Sequence, residues 1–203
     1  MHDLRPLTNI TKTKELVFHR PYPSKYDMPL PLDCIVQQRV AKLLGVFLSA
    51  NLNFDDHVNF VLTVCSQRIY LLKLLKSQNL PPKEMHTVFN ALILSRITYA
   101  LPVWGGHLTK QQTQRINAFL KRARKYGFTE KLYSIEELLE KADARLFGRM
   151  LNPAHCLHSI LPNKSNKSHR RLLGKRGHAF SLPQCTYNLY KNTFLPCCYF
   201  KFV

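Results

Sequence analysis

The run of residues 41–106 constrains the fold of this chain more than any other part of the sequence. It opens with a strand-like LLGVFL, continues through NFDDH and ends in YALPVWGG. Between these pieces apolar residues recur every three or four positions, which predicts two helices, over residues 53–77 and from residue 81 to about residue 99. Asn53 or Asp55 can cap the first helix, and a Pro-Pro step opens the second. The run therefore predicts a strand followed by a helical group.

The apolar stripe of the first predicted helix consists of Val58, Val61, Cys65, Ile69, Leu72 and Leu75. Three cations lie off that stripe and are expected to face solvent or a partner: Arg68, Lys73 and Lys76. The second helix is apolar nearly all round, which predicts a central position. Pro102 is expected to end it, and Trp104 to fill the core beneath the exit turn.

Two further helices are predicted downstream. Thr109 caps one that runs to about residue 126, with its inward side chains Ile116, Phe119, Leu120 and Ala123. Ser134 and Glu137 have the spacing of a capping box, in which each side chain satisfies an unpaired N–H of the other residue. The helix that they open continues to about residue 150, with its expected buried side chains Leu138, Leu139, Ala142 and Leu146.

The N-terminal residues are predicted to form a β-hairpin with a long loop at its tip. ELVF, residues 15–18, and QRVAKLLGVFL, residues 38–48, read as its strands. The intervening RPYPSKYDMPLPLD carries four prolines, which forbid a helix and remove sheet donors. Residues 152–203 are rich in Pro, His, Lys and Arg, so we expect weak structure there. The predicted fold class is mainly α with a small β-hairpin, a helical bundle and a basic C-terminal tail.

The charge of the chain points to a polyanionic partner. Its 203 residues carry a formal net charge of +18, and 45% of them are hydrophobic, an ordinary fraction for a globular protein. Between His57 and Thr129 the one acidic residue is Glu84, and none follows Asp143. So large a positive charge destabilises the folded chain by repulsion among its own cations. It favours nucleic acid as the partner, and an anionic membrane surface is the less frequent one.

The cysteines and the N-terminus favour an intracellular protein, nuclear or cytoplasmic. The six cysteines show no framework spacing, and Cys197 and Cys198 are adjacent. MHDLRPLTNITKTKEL has no apolar segment of a secretory signal, and no run of about 18 apolar residues exists, so we expect neither secretion nor a membrane partner. Reduced thiols agree with that compartment.

Several segments of the chain, by their order and spacing, resemble the part that follows the catalytic palm in reverse transcriptases of non-LTR (LINE-type) retrotransposons. VAKLLGVFLSANLNFDDHV is similar to the passage from palm to thumb, and NFVLTVCSQRIYLLKLLKSQNL and MHTVFNALILSRITYALPVWGG are similar to thumb helices. NITKTKELVF looks like the last palm strand, and NPAHCLHSILP, KRGHAFSLP and NTFLPCCYFK look like the tail. The resemblance implies a palm-end hairpin over residues 1–50, a helical thumb-like domain over residues 51–150 and a basic, weakly structured tail over residues 151–203.

The family is an RNA-directed DNA polymerase, whose palm carboxylates hold two Mg²⁺ ions. Those carboxylates include a Phe/Tyr-x-Asp-Asp hairpin upstream of the part that this chain resembles. Asn53-Phe54-Asp55-Asp56 is not that hairpin, because the aspartates follow Phe54 directly and a helical pattern begins at once. We therefore predict a truncated reverse transcriptase fragment that holds the RNA template and the DNA primer, has no cofactor of its own and does not polymerise alone.

Other chemistry finds little support in the sequence. Lys12 and Lys14 lie about where polymerases hold a lysine that protonates pyrophosphate, although a solvated strand-edge lysine fits them better. The spacing of His155, Cys156 and His158 suits no single tetrahedral zinc, and the tail shows no C-x2-C pair. The sequence has neither a nucleophile elbow nor a glycine-rich phosphate loop. No metal or catalytic residue is predicted.

The candidate nucleic-acid contacts are ten cations in two clusters: Lys110, Arg115, Lys121, Arg122, Arg124, Lys125, Arg170, Arg171, Lys175 and Arg176. Lys and Arg neutralise phosphates, and Tyr126 and Phe128 beside the first cluster could stack on bases. The second cluster lies in a Ser/Asn-rich segment and resembles a flexible arm. The alternatives for the first cluster are a nuclear-localisation run or a plain solvated helix. For the chain, the alternative is a stand-alone helical module that binds nucleic acid or protein.

Overall fold

A computed structural model describes residues 9–19, 27–162 and 184–202 of the chain. It divides the chain into two units, residues 1–60 and residues 61–203. The described residues are mainly helical, with one small antiparallel hairpin. The predicted fold class, mainly α with a small β-hairpin, is therefore confirmed.

The first two strands pair differently from the prediction. β1 (Lys14–Glu15) lies parallel to β2 (Val36–Gln37), so the proline-rich connection joins parallel strands and is not the tip of a hairpin. The prediction gave a strand over residues 15–18, whereas the observed strand has two residues, Lys14 and Glu15. Parallel pairing needs a long crossover, and the connection supplies one.

Apart from its last residue, Ser49, the antiparallel hairpin lies within the segment that was predicted to be one strand, residues 38–48. β3 (Val40–Leu43) and β4 (Val46–Ser49) pair across a two-residue turn, with Leu43 opposite Val46. The turn residues Leu44 and Gly45 both have positive φ, 46° and 87°. A two-residue turn with two positive φ values matches the right-handed twist of its strands. The prediction of a single strand was wrong because it overlooked the one glycine of this run.

α1 (Asp55–Ser77) begins directly after the hairpin, and its aspartates lie in the first turn. The Asn53 side chain accepts a hydrogen bond from the Asp55 backbone N–H, 3.0 Å from donor to acceptor, as a cap does. Phe54 and His57 are buried beside this start. The interpretation of the Asp-Asp pair as the start of a helix, and not as a polymerase hairpin, agrees with this geometry.

Four of the six residues in the predicted stripe of α1 are buried, and the other two, Ile69 and Leu75, are half-buried. Val58, Val61, Cys65 and Leu72 are buried, whereas Leu71 and Leu74 are exposed. By its length and composition α1 could also cross a membrane, a test that core helices of water-soluble proteins pass as well.

The next helical segment contains a π turn. α2 (Pro82–Phe89) continues through a π-helical stretch, Asn90–Leu94, into α3 (Ser95–Thr98). The Ser95 N–H bonds to the Asn90 carbonyl five residues back, and Arg68 of α1 donates to the Leu92 carbonyl at 2.8 Å. Arg68, predicted to face solvent or a partner, instead satisfies a backbone acceptor within the fold. The core side of this segment is a ladder of four buried side chains, Met85, Phe89, Ile93 and Ile97.

Ala100, not Pro102, ends this helix. Ala100 adopts a left-handed conformation (φ 49°), and Pro102 lies in the first turn of α4 (Leu101–Trp104), where proline is tolerated. Trp104 is fully buried, as expected, and its indole N–H donates to the Tyr99 carbonyl at 3.0 Å. A 3-10 turn, Gly105–His107, leads on to α5.

α5 (Lys110–Lys125) and α6 (Ile135–Met150) begin at the predicted caps. Thr109 and Gln112 form a full capping box on α5, and Ser134 accepts from the Glu137 N–H on α6. The predicted inward residues of α5 are all buried. On α6 the prediction was wrong by one position: Leu138, Leu139, Ala142 and Leu146 are half-buried, and the buried face is Ile135, Asp143, Phe147 and Met150.

The end of the tail is helical, against the prediction of weak structure. After turns and a 3-10 segment, His158–Ile160, the described chain resumes at α7 (Asn188–Lys191) and α8 (Phe194–Phe202). α8 packs on α6, where Cys198 and Tyr199 form a small core with Phe147. The sequence did not predict α8, because this helix contains Pro196 and follows a long basic stretch.

A pair of leucines on α1 tests which face of this helix is buried. Leu72→Ala should lower the free energy of unfolding by about 2–5 kcal/mol, because Leu72 is fully buried. Leu74→Ala, on the exposed face of the same turn, should cost less than about 1 kcal/mol. Urea denaturation followed by circular dichroism measures both values. Equal losses for the two variants would contradict this orientation of α1.

Asp143 makes the packing of α6 on α8 dependent on pH. It is buried, its Oδ1 has no hydrogen-bond partner within the described residues, and Lys201, Cys197 and Cys198 of α8 interact with it electrostatically. Burial raises the pKa of Asp143 from 3.8 to about 6, and Lys201 opposes the rise. The neutral carboxyl is therefore the form that the fold favours, and its stabilising effect is lost as the pH rises through 6.

We expect Asp143→Asn to raise the melting temperature more at pH 7.5 than at pH 4.5, because the amide stays neutral at both. Thermal unfolding followed by circular dichroism gives the two differences. The matched control is Glu140→Gln, at an exposed position of the same helix. The same gain at both pH values would show that the Asp143 carboxyl does not titrate within the fold.

Candidate nucleic-acid interface

The exposed side of α5 is basic throughout. The helix has six cations and no carboxylate, and all six are exposed: Lys110, Arg115, Lys121, Arg122, Arg124 and Lys125. Sixteen residues span about 24 Å at 1.5 Å per residue. Lys121 and Lys125 lie one turn apart on the same side of the helix, and Arg115 and Arg122 lie two turns apart. This basic face of α5 is broad enough to follow a nucleic-acid backbone.

The end of α1 adds two more cations beside the end of α5. The Lys76 ammonium donates to the Tyr126 carbonyl, immediately after α5, and the Lys73 ammonium lies 5.6 Å from the centre of the Tyr126 ring. Tyr126 is 47% exposed. Sequence reasoning placed both lysines off the apolar stripe but missed their proximity to α5, because 50 residues separate Lys76 from Tyr126.

Two open cavities flank the end of α5. One, of about 310 Å³, is lined by Lys73, Lys76, Ser77, Tyr126 and Phe128. The other, of about 410 Å³, is lined by Lys121, Arg124, Lys125 and Leu132. Arg124 also donates from Nε to the Glu130 carbonyl at 3.2 Å, which fixes the second cavity to the loop after α5. Both concave surfaces are basic, so both suit an anion.

The turn between α5 and α6 is firmly held. Gly127 has a φ of +75°, which a glycine adopts without strain, and it gives α5 a left-handed end. Phe128 and Thr129 are buried behind it. Thr129 Oγ1 and His86 Nδ1 are hydrogen-bonded at 2.9 Å, which ties the turn to α2. Tyr126 therefore sits on a fixed backbone.

The structure brings together one of the two predicted clusters. Lys121, Arg122, Arg124 and Lys125 share the last turns of α5, and Lys110 and Arg115 extend the same helix toward its start. The second cluster, Arg170, Arg171, Lys175 and Arg176, lies outside the described residues. Of the aromatic pair, Tyr126 is exposed and Phe128 is 1% exposed, so only Tyr126 can meet a base.

The remaining candidates for chemistry do not assemble into a site. Among the described residues no group of three or more His, Cys, Asp or Glu side chains could hold a metal ion. All six cysteines are thiols, and burial raises the pKa of Cys65 to about 11 and that of Cys198 to about 12, so neither is a thiolate at neutral pH. Burial lowers the pKa of His57 to about 4. These groups behave as core residues.

The N-terminal unit has a cavity of its own. It measures about 750 Å³, and its lining includes Gln37, Gln38 and Arg39 as well as Asn53, Asp55 and Asp56. Cationic and anionic side chains both border it, which distinguishes it from the uniformly basic end of α5. Lys14 lies on β1, and neither Lys12 nor Lys14 lines this cavity.

Comparison with known proteins gives no match for this chain among protein-family models, curated proteins or solved structures.

Two glycines test how the turn after α5 is held. Gly127→Ala should lower the free energy of unfolding by about 1 kcal/mol or more, because of its left-handed conformation and because the new Cβ would lie 2.9 Å from Lys76 Nζ. Gly148→Ala is the control: it lies inside α6 with open space around its Cβ and should stabilise by about 0.5–1 kcal/mol. Chemical denaturation measures both, and a neutral Gly127→Ala would contradict the described turn.

Proposed function

We propose that this chain is the thumb-type part of a non-LTR retrotransposon reverse transcriptase, which holds the duplex of RNA template and DNA primer. The observation that carries the proposal is the basic face of α5, six exposed cations without a carboxylate, joined at its end by Lys73 and Lys76. The helices over residues 55–98 and their exit at Trp104 agree with the predicted thumb-like segment. The proposed family is based on the resemblance of the sequence, and the proposed partner is based on the positive charge.

Binding through this face is electrostatic and largely independent of sequence. Each lysine or arginine that neutralises a phosphate releases condensed counterions, so the affinity falls as salt rises. Phosphate contacts orient a duplex and do not read its bases. The six cations on a straight helix of about 24 Å suit the repeating charge of a backbone.

The proposed role is to hold nucleic acid and not to catalyse polymerisation. The sequence has no Phe/Tyr-x-Asp-Asp motif, and its one Asp-Asp pair opens α1. Within this proposal the two Mg²⁺ ions belong to palm residues outside the part that the chain resembles. Primer extension by this chain with added Mg²⁺ is expected to be absent.

The alternative, a stand-alone interaction module, has one observation in its favour. α1 leaves Tyr70, Leu71 and Leu74 exposed, at 68%, 46% and 46%. An apolar surface of this kind suits a protein partner. Absence of salt-dependent binding to a hybrid duplex would favour this alternative over the proposed one.

Charge neutralisation on α5 tests the proposal. The affinity for a fluorescein-labelled RNA–DNA hybrid should fall steeply between about 50 and 200 mM salt. Lys121→Gln with Lys125→Gln should weaken binding and flatten the log–log salt slope by about two, one for each lost phosphate contact. Fluorescence anisotropy across a salt series measures both quantities.

The matched control neutralises two exposed cations of α6, Lys141→Gln with Arg145→Gln. This helix also carries Glu136, Glu137 and Glu140, so its face is not uniformly basic. The control should change the net charge equally and leave the slope nearly as it was. Binding that does not respond to salt, or equal effects of the two double variants, would overturn the assignment of α5.

A further inference from the structure

The cavity between the end of α1 and the turn after α5 combines the two kinds of group that bind a single nucleotide. Lys73 and Lys76 contribute ammonium groups, and Tyr126 contributes an exposed ring. Cations neutralise a phosphate, and an aromatic face stacks on a base of any sequence. The volume of about 310 Å³ matches one small ligand better than a duplex.

The ring of Tyr126 has Phe128 beside it and the Lys73 ammonium over it, and it remains partly exposed. Phe128, buried, packs against it with ring centres 5.9 Å apart and planes tilted by 51°. Lys73 Nζ lies 5.6 Å from the ring centre. Nearly half of the Tyr126 surface remains exposed, at 47%. A base inside a duplex cannot stack on this ring, because its neighbours in the stack cover both of its faces, whereas an unpaired overhanging base can.

The lysines keep donors to spare. Lys76 uses one N–H for the Tyr126 carbonyl, and an ammonium group has three. That bond and the turn at Gly127 fix the positions of ring and cation before any ligand arrives. A site that is ordered beforehand pays little conformational entropy on binding.

The pocket also lies at the end of the basic face of α5. Lys125 lines the neighbouring cavity of about 410 Å³ together with Lys121 and Arg124, and Tyr126 is the next residue in the chain. A backbone that follows these cations therefore arrives at the pocket. Along α5 the cations that can contact phosphates therefore come first, and the ring of Tyr126 follows them.

We propose that the cavity lined by Lys73, Lys76 and Tyr126 binds the first unpaired nucleotide beyond a duplex that lies on the basic face of α5. The base stacks on Tyr126, and the two lysines neutralise its phosphate. The inference rests on the proposed function and adds a recognition of the junction between double and single strand. Neither covalent chemistry nor a metal ion is involved.

The experiment compares a blunt RNA–DNA hybrid with the same hybrid carrying a short single-stranded overhang. The overhang should raise the affinity of the unaltered chain roughly tenfold, the order expected for stacking of one base on an aromatic ring. Tyr126→Ala should abolish that gain, so that this variant binds the hybrid with the overhang no more tightly than it binds the blunt hybrid. Tyr126→Phe should retain the gain, since the ring stays.

Two further measurements separate stacking from loss of structure. A 2-aminopurine placed as the first overhang base should lose fluorescence on binding to the unaltered chain and to Tyr126→Phe, but not to Tyr126→Ala. Tyr70→Ala, at an exposed tyrosine of α1 that lines neither cavity, should behave like the unaltered chain. Circular dichroism confirms that each variant has kept its helical content.

The outcomes distinguish this pocket from the function on which it rests. Salt-dependent binding of the blunt hybrid without any gain from the overhang overturns the pocket and leaves the proposed function standing. A gain that survives in Tyr126→Ala also overturns it. Absence of salt-dependent binding to either hybrid overturns the proposed function, and the pocket with it.

Discussion

The burial of one face of each of the longer helices is the constraint on which the rest of the structure depends. Met85, Phe89, Ile93 and Ile97 form the ladder of the central helical segment, and α5 turns Ile116, Phe119 and Leu120 inward. Burying apolar side chains leaves only the opposite faces for charge. On α5 the six cations therefore lie outside the buried face, and the helix has no carboxylate among them. The same packing that stabilises the helices thus creates the basic surface.

Helix starts and buried stripes were predictable because they depend on local spacing. Thr109 and Ser134 cap the helices that their positions indicated, and four of the six residues in the predicted stripe of α1 are buried. Strand pairing was not predictable, because β1 and β2 have two residues each and carry no pattern that fixes a partner or a direction. On α6 the apolar spacing suggested Leu139 and Leu146, whereas the fold buries Asp143, an acidic residue that no hydrophobic pattern selects.

The candidate site was likewise predictable where it depends on local sequence and not where it depends on long-range contacts. Six cations on one helix can be read from the chain, so the basic face of α5 was evident. The contribution of Lys73 and Lys76 was not, because it arises from a contact across 50 residues. The roles of Tyr126 and Phe128 also looked alike in sequence. Only burial separates them, since one ring supports the other from inside.

The π turn at Asn90–Leu94 sets the rotation of α3, the helix that directly follows it. In a regular α-helix a step of four residues overshoots one turn by about 40°, so a ladder of four such residues would drift by about 120° around the axis. The wider turn absorbs part of that drift, which lets Met85 and Ile97 point to the same core. The π turn thus adjusts the rotation of α3 about the helix axis relative to α2. Losing a single residue there would rotate Ile97 by about 100° away from the core, although the residue itself remained apolar.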